Sequence, residues 1–119
     1  MFEMNDLVRH TGYDPNVYVV RLRLIRIQGE TEYIIQTGDH QSVVPESRLV
    51  RINKYRQGDL VVETKRSRTV GPYRKTTGKV LDISYNGIYD GVIYTVNFRN
   101  MVRFIEEGCL MPKRIKKAD

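Results

Sequence analysis

The feature that most constrains this chain is an internal repeat. Residues 33–49 align with residues 94–110 at a constant offset of 61. Upstream, residues 6–8 match residues 59–61 at an offset of 53, so the second copy carries eight extra residues between its matched segments. Similarity at a fixed spacing indicates a duplicated structural unit, so we expect two small domains of one kind. The aligned pairs include Tyr33 with Tyr94, Ile35 with Val96, Val44 with Ile105, Glu46 with Glu107 and Leu49 with Leu110.

Each copy has the pattern of short β-strands. Residues 20–24 alternate apolar and basic side chains with a period of two, as expected for a strand with one buried face. Turn residues such as Asn86-Gly87 separate consecutive strands, and no stretch of ten or more residues has a helical apolar period. Pro45-Glu46-Ser47 and Glu106-Glu107-Gly108 suit a 3₁₀ turn before the last strand. This plan predicts an all-β fold of two tandem SH3-like small barrels.

The repeat also predicts the domain bounds. We place the first barrel at residues 5–52, a linker at 53–57, the second barrel at 58–112 with a basic loop at 64–75, and a basic tail at 113–119. Each barrel is near the size at which a core is marginal, so we expect the two to pack together.

The apolar repeat positions and the phase of each strand predict the core. The period-two alternation slips at Ile25, which predicts a β-bulge or bend there. The expected core residues are Leu7, Leu22, Ile35, Val44 and Leu49 in the first copy, and Leu60, Val80, Ile83, Val96, Ile105 and Leu110 in the second.

The second copy resembles the KOW/Tudor-like group of SH3-like barrels. Gly58-Asp59-Leu60-Val61 is similar to the opening strand of that group, and Gly78-Lys79-Val80-Leu81-Asp82-Ile83 is similar to its Gly-x-Val-x-x-Ile core. The resemblance covers about residues 58–112. Members bind RNA, DNA, RNA polymerase or other proteins, so the resemblance implies a binding module. In the first copy Val17 stands at the position of Gly78, a departure that does not favour nucleic-acid binding by that copy.

Positive charge is concentrated in the second half of the chain. The 20 Lys and Arg residues exceed the 14 Asp and Glu residues by six. Residues 1–57 hold eight basic and seven acidic residues, whereas residues 58–119 hold twelve and seven, so the halves carry +1 and +5. An uneven positive excess favours a polyanionic partner, and the alternative is that it only keeps a small protein in solution.

The candidate nucleic-acid contacts lie in the basic loop and the tail. Five basic residues fall within residues 65–75 without an acidic one, a pattern suited to following a phosphate backbone, and an aromatic side chain among them can stack on a base. The alternative is an exposed loop whose charges are simply hydrated. The candidate binding residues are Lys65, Arg66, Arg68, Tyr73, Arg74, Lys75, Lys79, Lys113, Arg114, Lys116 and Lys117.

The sequence offers little support for catalysis or metal binding. His10 and His40 lie at turn-like positions without a nucleophile and an acid at a recognisable spacing. The single cysteine, Cys109, excludes an internal disulfide and a multi-cysteine metal site. We therefore expect a protein that is not an enzyme and has no cofactor, metal site or small-molecule substrate.

The sequence also predicts the compartment. No apolar run approaches the ~20 residues of a membrane-spanning helix, and the first residues do not have the pattern of a secretory signal. We expect a cytoplasmic protein with no membrane partner, associated with the nucleoid if it binds DNA.

The sequence is consistent with two functions. The first is non-catalytic binding of nucleic acid, duplex DNA rather than RNA, with little sequence preference because phosphate contacts carry no sequence information. The second is a protein-interaction adaptor that docks on RNA polymerase or another acidic protein, for instance as a phage accessory factor. Binding to labelled duplex DNA and to single-stranded RNA, each measured across a salt series, tests the first function.

Overall fold

The computed structural model of the chain describes residues 1–12, 14–64, 77–88 and 90–113. It divides the chain into two compact units, unit 1 (Met1–Lys54) and unit 2 (Tyr55–Asp119), with the boundary inside the predicted linker. Each unit contains one five-stranded antiparallel sheet. The predicted all-β fold with two small β units is therefore confirmed.

Unit 1 has five strands and one 3₁₀ turn. The sheet order is β4-β3-β2-β1-β5, so β1 pairs with both β2 and β5. The 3₁₀ turn, Glu46–Arg48, comes directly before the last strand, as the sequence predicted. The strands are β1 (Leu7–His10), β2 (Tyr18–Leu24), β3 (Glu32–Thr37), β4 (His40–Pro45) and β5 (Leu49–Arg51).

Unit 2 repeats this plan strand for strand. Its sheet order is β10-β6-β7-β8-β9, which is the order of the corresponding strands in unit 1. Its 3₁₀ turn, Glu107–Cys109, again precedes the last strand. The strands are β6 (Leu60–Glu63), β7 (Gly78–Asn86), β8 (Gly91–Phe98), β9 (Met101–Glu106) and β10 (Leu110–Pro112).

Each unit begins with an aromatic residue held against a buried tyrosine. The backbone N–H of Phe2 donates to Tyr33 Oη at 3.1 Å, and the two rings meet edge to face at 5.2 Å. The backbone N–H of Tyr55 donates to Tyr94 Oη at 3.0 Å, with the rings at 5.4 Å. Tyr33 and Tyr94 are fully buried, and each phenol oxygen accepts the hydrogen bond of a backbone N–H group inside its unit. Unit 1 therefore extends to Phe2, beyond the predicted start at residue 5.

The backbone conformation two residues before the first strand is also the same in both units. Asn5 and Gly58 have positive φ values of 71° and 91°, a conformation that asparagine and glycine adopt more readily than other residues. Their backbone N–H groups donate to the carbonyls of Val20 and Val80 at 2.9 and 2.8 Å. The duplication is therefore preserved in backbone geometry as well as in apolar pattern.

Most of the predicted core residues are buried, but Leu22 is not. A β-bulge shifts the register between β2 and β3 at Val20/Leu22, ahead of the slip predicted at Ile25. Val20 therefore faces the core, whereas Leu22 lies on the opposite face with 47% of its surface exposed. The core of unit 1 consists of Val8, Tyr18, Val20, Tyr33, Ile35, Val44 and Leu49.

Two predicted core residues of unit 2 are also not buried. Leu60 precedes the buried Val61 in β6, so strand alternation places Leu60 on the solvent face with 49% exposure. Ile83 follows a second bulge, between Val80 and Asp82, and is only half-buried although it lies opposite Tyr94. The prediction for Leu60 is therefore wrong, because repeat alignment alone does not give the face of a strand. Ile83 is on the same face as Tyr94 but is only partly covered, so it is not a buried core residue.

The two cores have residues of very different size at one equivalent position, at the start of the second strand. Gly78 pairs with Val61 as Tyr18 pairs with Val8, so Tyr18, not Val17, corresponds to Gly78. A Cβ atom on Gly78 would lie 2.4 Å from Val96 Cγ1 and 2.6 Å from the Phe98 ring. Packing therefore requires the glycine of unit 2, independently of any ligand.

We predict that Gly78→Ala destabilises the protein by about 1–3 kcal/mol, because the added methyl group overpacks a filled core. Chemical denaturation measures the free energy of unfolding. Gly87→Ala is the matched control, since a Cβ there meets nothing within 4 Å, and we expect it to change stability by less than about 0.5 kcal/mol. Equal effects of the two substitutions would contradict this packing explanation.

Candidate nucleic-acid interface

Two of the candidate binding residues, Lys79 and Lys113, lie within the described structure, and the fold brings them together. Lys79 is paired with Leu60 in the β6–β7 register. Lys113 directly follows β10, and its backbone N–H donates to the Leu60 carbonyl at 3.1 Å. Residues directly opposite each other in an antiparallel pair project to the same face. Lys79 and Lys113 therefore flank Leu60, and we call these three residues the cationic row.

The cationic row lies on the solvent face of the unit 2 sheet. Lys79, Lys113 and Leu60 are exposed, while the neighbouring Val61 and Val80 face the core. Within the described residues, neither lysine forms an ion pair with a carboxylate. Two positive charges about two strand spacings apart, roughly 10 Å, thus remain available to an anionic ligand.

The other candidate contacts lie outside the described residues. The structure does show where the chain enters and leaves the basic segment. Thr64 follows β6, and its N–H donates to the Cys109 carbonyl at 2.9 Å. Thr77 directly precedes β7, the hydrogen-bonded neighbour of β6. The nine residues in question are Lys65, Arg66, Arg68, Tyr73, Arg74, Lys75, Arg114, Lys116 and Lys117.

A buried ion pair anchors the strand that leads into the basic segment. Glu63, at the end of β6, is 3% exposed and accepts a hydrogen bond from the Arg103 guanidinium of β9. The corresponding residues of unit 1, His10 and Ser42, cannot form such a pair. Because its charge is compensated inside the unit, Arg103 belongs to the scaffold and adds little to the positive surface.

Unit 1 has a different polar cluster between its first two strands. Tyr18 Oη donates to the Asp14 carboxylate, and His10 Nε2 lies 4.0 Å from Asp14 Oδ2. The Tyr18 hydrogen bond, aided by the backbone N–H of Asn16, lowers the pKa of Asp14 below its ordinary 3.8. The same hydrogen bond raises the pKa of Tyr18 above 10. Asp14 is therefore ionised and Tyr18 protonated near neutral pH, so this pair holds the chain in place and does not exchange a proton.

Sequence reasoning missed an exposed aromatic residue on the unit 2 sheet. Phe104 in β9 is 76% exposed, while the next residue, Ile105, is buried. The signal that could have identified it is the alternation along β9, which places Val102 and Phe104 on the face opposite Ile105. The repeat alignment pairs Phe104 with Val43, which is also exposed at the corresponding edge.

The described residues show no other site of recognised chemistry. They contain no group of three or more His, Cys, Asp or Glu side chains arranged to hold a metal ion. Within the same residues there is no helix of the length and apolarity needed to cross a membrane.

No family model matches the chain, and no curated protein shows significant similarity to it.

We predict that Arg103→Met destabilises the protein by about 2–4 kcal/mol, because it removes the guanidinium that pairs with the buried Glu63 carboxylate. The double variant Glu63→Gln/Arg103→Met removes both charges and should recover much of that loss. Urea denaturation of both variants provides the comparison. If the single variant were as stable as the wild type, the ion pair would not anchor β6.

We predict that Tyr18→Phe raises the pKa of Asp14 towards 3.8, because the hydrogen bond to its ionised form is lost. The Asp14–Tyr18 interaction stabilises the fold above the unfolded pKa of the carboxyl group and is lost as pH falls through the lowered value. Carboxyl NMR titration measures the shift. Tyr85→Phe, which removes the tyrosine–aspartate bond to Asp90 in unit 2, is the control and should leave Asp14 unchanged.

Proposed function

We propose that unit 2 binds nucleic acid without sequence preference, with duplex DNA as the main ligand, and that the protein is not an enzyme. The observation that carries this proposal is the cationic row, where Lys79 and Lys113 flank Leu60 on one exposed sheet face and pair with no carboxylate among the residues that the structure describes. Lysine side chains on such a face contact phosphate oxygens, which supply affinity but no sequence readout.

The distribution of charge along the chain supports the same ligand. The basic segment 65–75 begins after Thr64, four residues along the chain from Leu60, and ends before Thr77, two residues ahead of Lys79. The basic tail continues directly from Lys113. Two basic segments that are distant in sequence, residues 65–79 and 113–117, are therefore connected to the same three neighbouring strands, β10, β6 and β7. We infer that they form one phosphate-binding surface, in the cytoplasm and on the nucleoid.

A second candidate function is docking on an acidic protein such as RNA polymerase, and unit 1 is the part that favours it. Leu22, Ile34 and Val43 are mutual partners in the register of β2, β3 and β4, so they form an apolar row on the solvent face. Arg21 and Arg23 precede and follow Leu22 in β2, are exposed, and have no carboxylate partner within the described residues. An acidic protein surface with an apolar centre would complement such a face.

We predict that wild-type protein binds a short labelled duplex with a slope of log K against log salt of about −6, if the five loop residues and the two lysines of the cationic row each neutralise one phosphate. Lys79→Ala/Lys113→Ala should flatten that slope by about 2 units and weaken all sequences alike. Replacing Arg66, Arg68 and Arg74 together should flatten it by about 2–3 units. Fluorescence anisotropy across a salt series measures these slopes.

The matched control removes the same charge from unit 1. Arg48→Ala/Arg51→Ala replaces two exposed arginines that have no ion-pair partner in the described structure, and it should leave the slope unchanged within about 0.5 units. If wild-type protein binds neither duplex DNA nor RNA at about 50 mM salt, the nucleic-acid proposal is wrong and the protein-docking function replaces it.

A further inference from the structure

We propose that the solvent face of the unit 2 sheet holds a single-stranded nucleic acid, with an unpaired base stacked on Phe104. This inference rests on the proposed function, and it adds a ligand class and a stacking residue that the charge pattern alone does not indicate. The observation behind it is that the most exposed aromatic side chain among the described residues shares a sheet face with the cationic row.

The register places Phe104 on that face. Lys79 is opposite Asn97 in β8, and Asn97 is opposite Val102 in β9. Phe104 lies two residues beyond Val102 in the same strand, so its side chain points to the same side. The opposite side is the core, where Val80, Val96 and Ile105 are buried. Phe104 is thus two strands and two residues from Lys79, a separation of roughly 12 Å.

Exposure of this size is unusual for phenylalanine in the middle of a strand. Its π-face offers no hydrogen-bonding group to water, so the exposed ring has a cost that a stacked ligand would remove. Its direct cross-strand neighbour, Thr95, is small and leaves the ring accessible. A base has a flat π-surface that matches an aromatic ring, and this match is independent of sequence.

The charges on this face indicate where a bound single strand of nucleic acid would lie. Lys79 and Lys113 lie on one side of Phe104, whereas Glu106 lies two residues beyond it on the other side. Asp82, across the sheet in the same row as Thr95, is also exposed. A phosphate backbone is therefore favoured along the cationic row, with a base directed towards β9 and the acidic side left unoccupied.

This geometry selects unpaired bases. In a duplex the flat faces of the bases are stacked on one another, so Phe104 cannot reach them unless a base is unstacked at additional cost. The lysines contact phosphates of either form. We therefore expect Phe104 to contribute to single-strand affinity and to be nearly neutral for duplex binding.

The experiment uses Phe104→Trp in the full-length protein, because the chain has no tryptophan and the new ring is the single indole. Titration with oligo(dT) and with oligo(U) should quench the indole fluorescence, while a short duplex should not. Val43→Trp, at the repeat-equivalent exposed position of unit 1, is the matched control and should not be quenched by any of them. Quenching by one oligonucleotide and not the other identifies DNA or RNA as the single strand.

Affinity provides the second measurement. Phe104→Ala should weaken oligo(dT) or oligo(U) binding by about 5- to 100-fold, as expected for loss of one stacked base, and change duplex binding less than about 2-fold. Circular dichroism checks that the variant folds. If duplex binding is intact but the Phe104→Trp indole is not quenched and Phe104→Ala binds single strands normally, this inference is wrong and the proposed function stands. If the wild type binds neither form at low salt, the proposed function itself fails.

Discussion

The β-bulge in the second strand of each unit is the constraint on which the rest of the surface depends. In β2 it follows Val20 and in β7 it follows Val80, and in both strands the register shifts by one residue there. Val20 and Val80 therefore face the core, while Leu22 and Asp82 turn to solvent. Without the bulge, alternation would direct Asp82 inwards, at the cost of a buried charge. The composition of each outer face follows from this one backbone irregularity.

The two units differ at the start of the second strand and in the segment that connects the first two strands. Both units keep a buried tyrosine that accepts a backbone N–H from an aromatic residue near the start of the unit. At the start of the second strand, however, unit 1 has Tyr18 and unit 2 has Gly78, whose place is filled by Phe98. In unit 1 the Tyr18–Asp14 hydrogen bond holds the loop between the first two strands. In unit 2 the corresponding segment is longer and basic, and it follows Glu63, which pairs with Arg103.

The divergence has also given the two outer faces different chemistry. Corresponding positions in the register carry an apolar row, Leu22, Ile34 and Val43, in unit 1, and Asp82, Thr95 and Phe104 in unit 2. The unit 2 face adds lysines that form no ion pair within the described part of the chain to an exposed aromatic ring, a combination suited to phosphate and base together. In unit 1 the aliphatic face is accompanied by exposed arginines on either side of Leu22 along β2, which is suited to an acidic protein surface. One scaffold thus presents two surfaces of different chemistry.

The sequence by itself determined the duplication, the all-β class, the 3₁₀ turn before each last strand and the concentration of positive charge after residue 58. These are local patterns or repeats, and periodicity and composition record them directly. Tertiary structure decided which face each strand residue occupies, as Leu22 and Leu60 show, because a bulge or a one-residue change of register reverses the faces. It also decided that Lys79 and Lys113, which are 34 residues apart in the chain, flank the same leucine, and that Phe104 lies on their side of the sheet. Such proximity results from hydrogen bonds between strands distant in sequence, which no local pattern specifies.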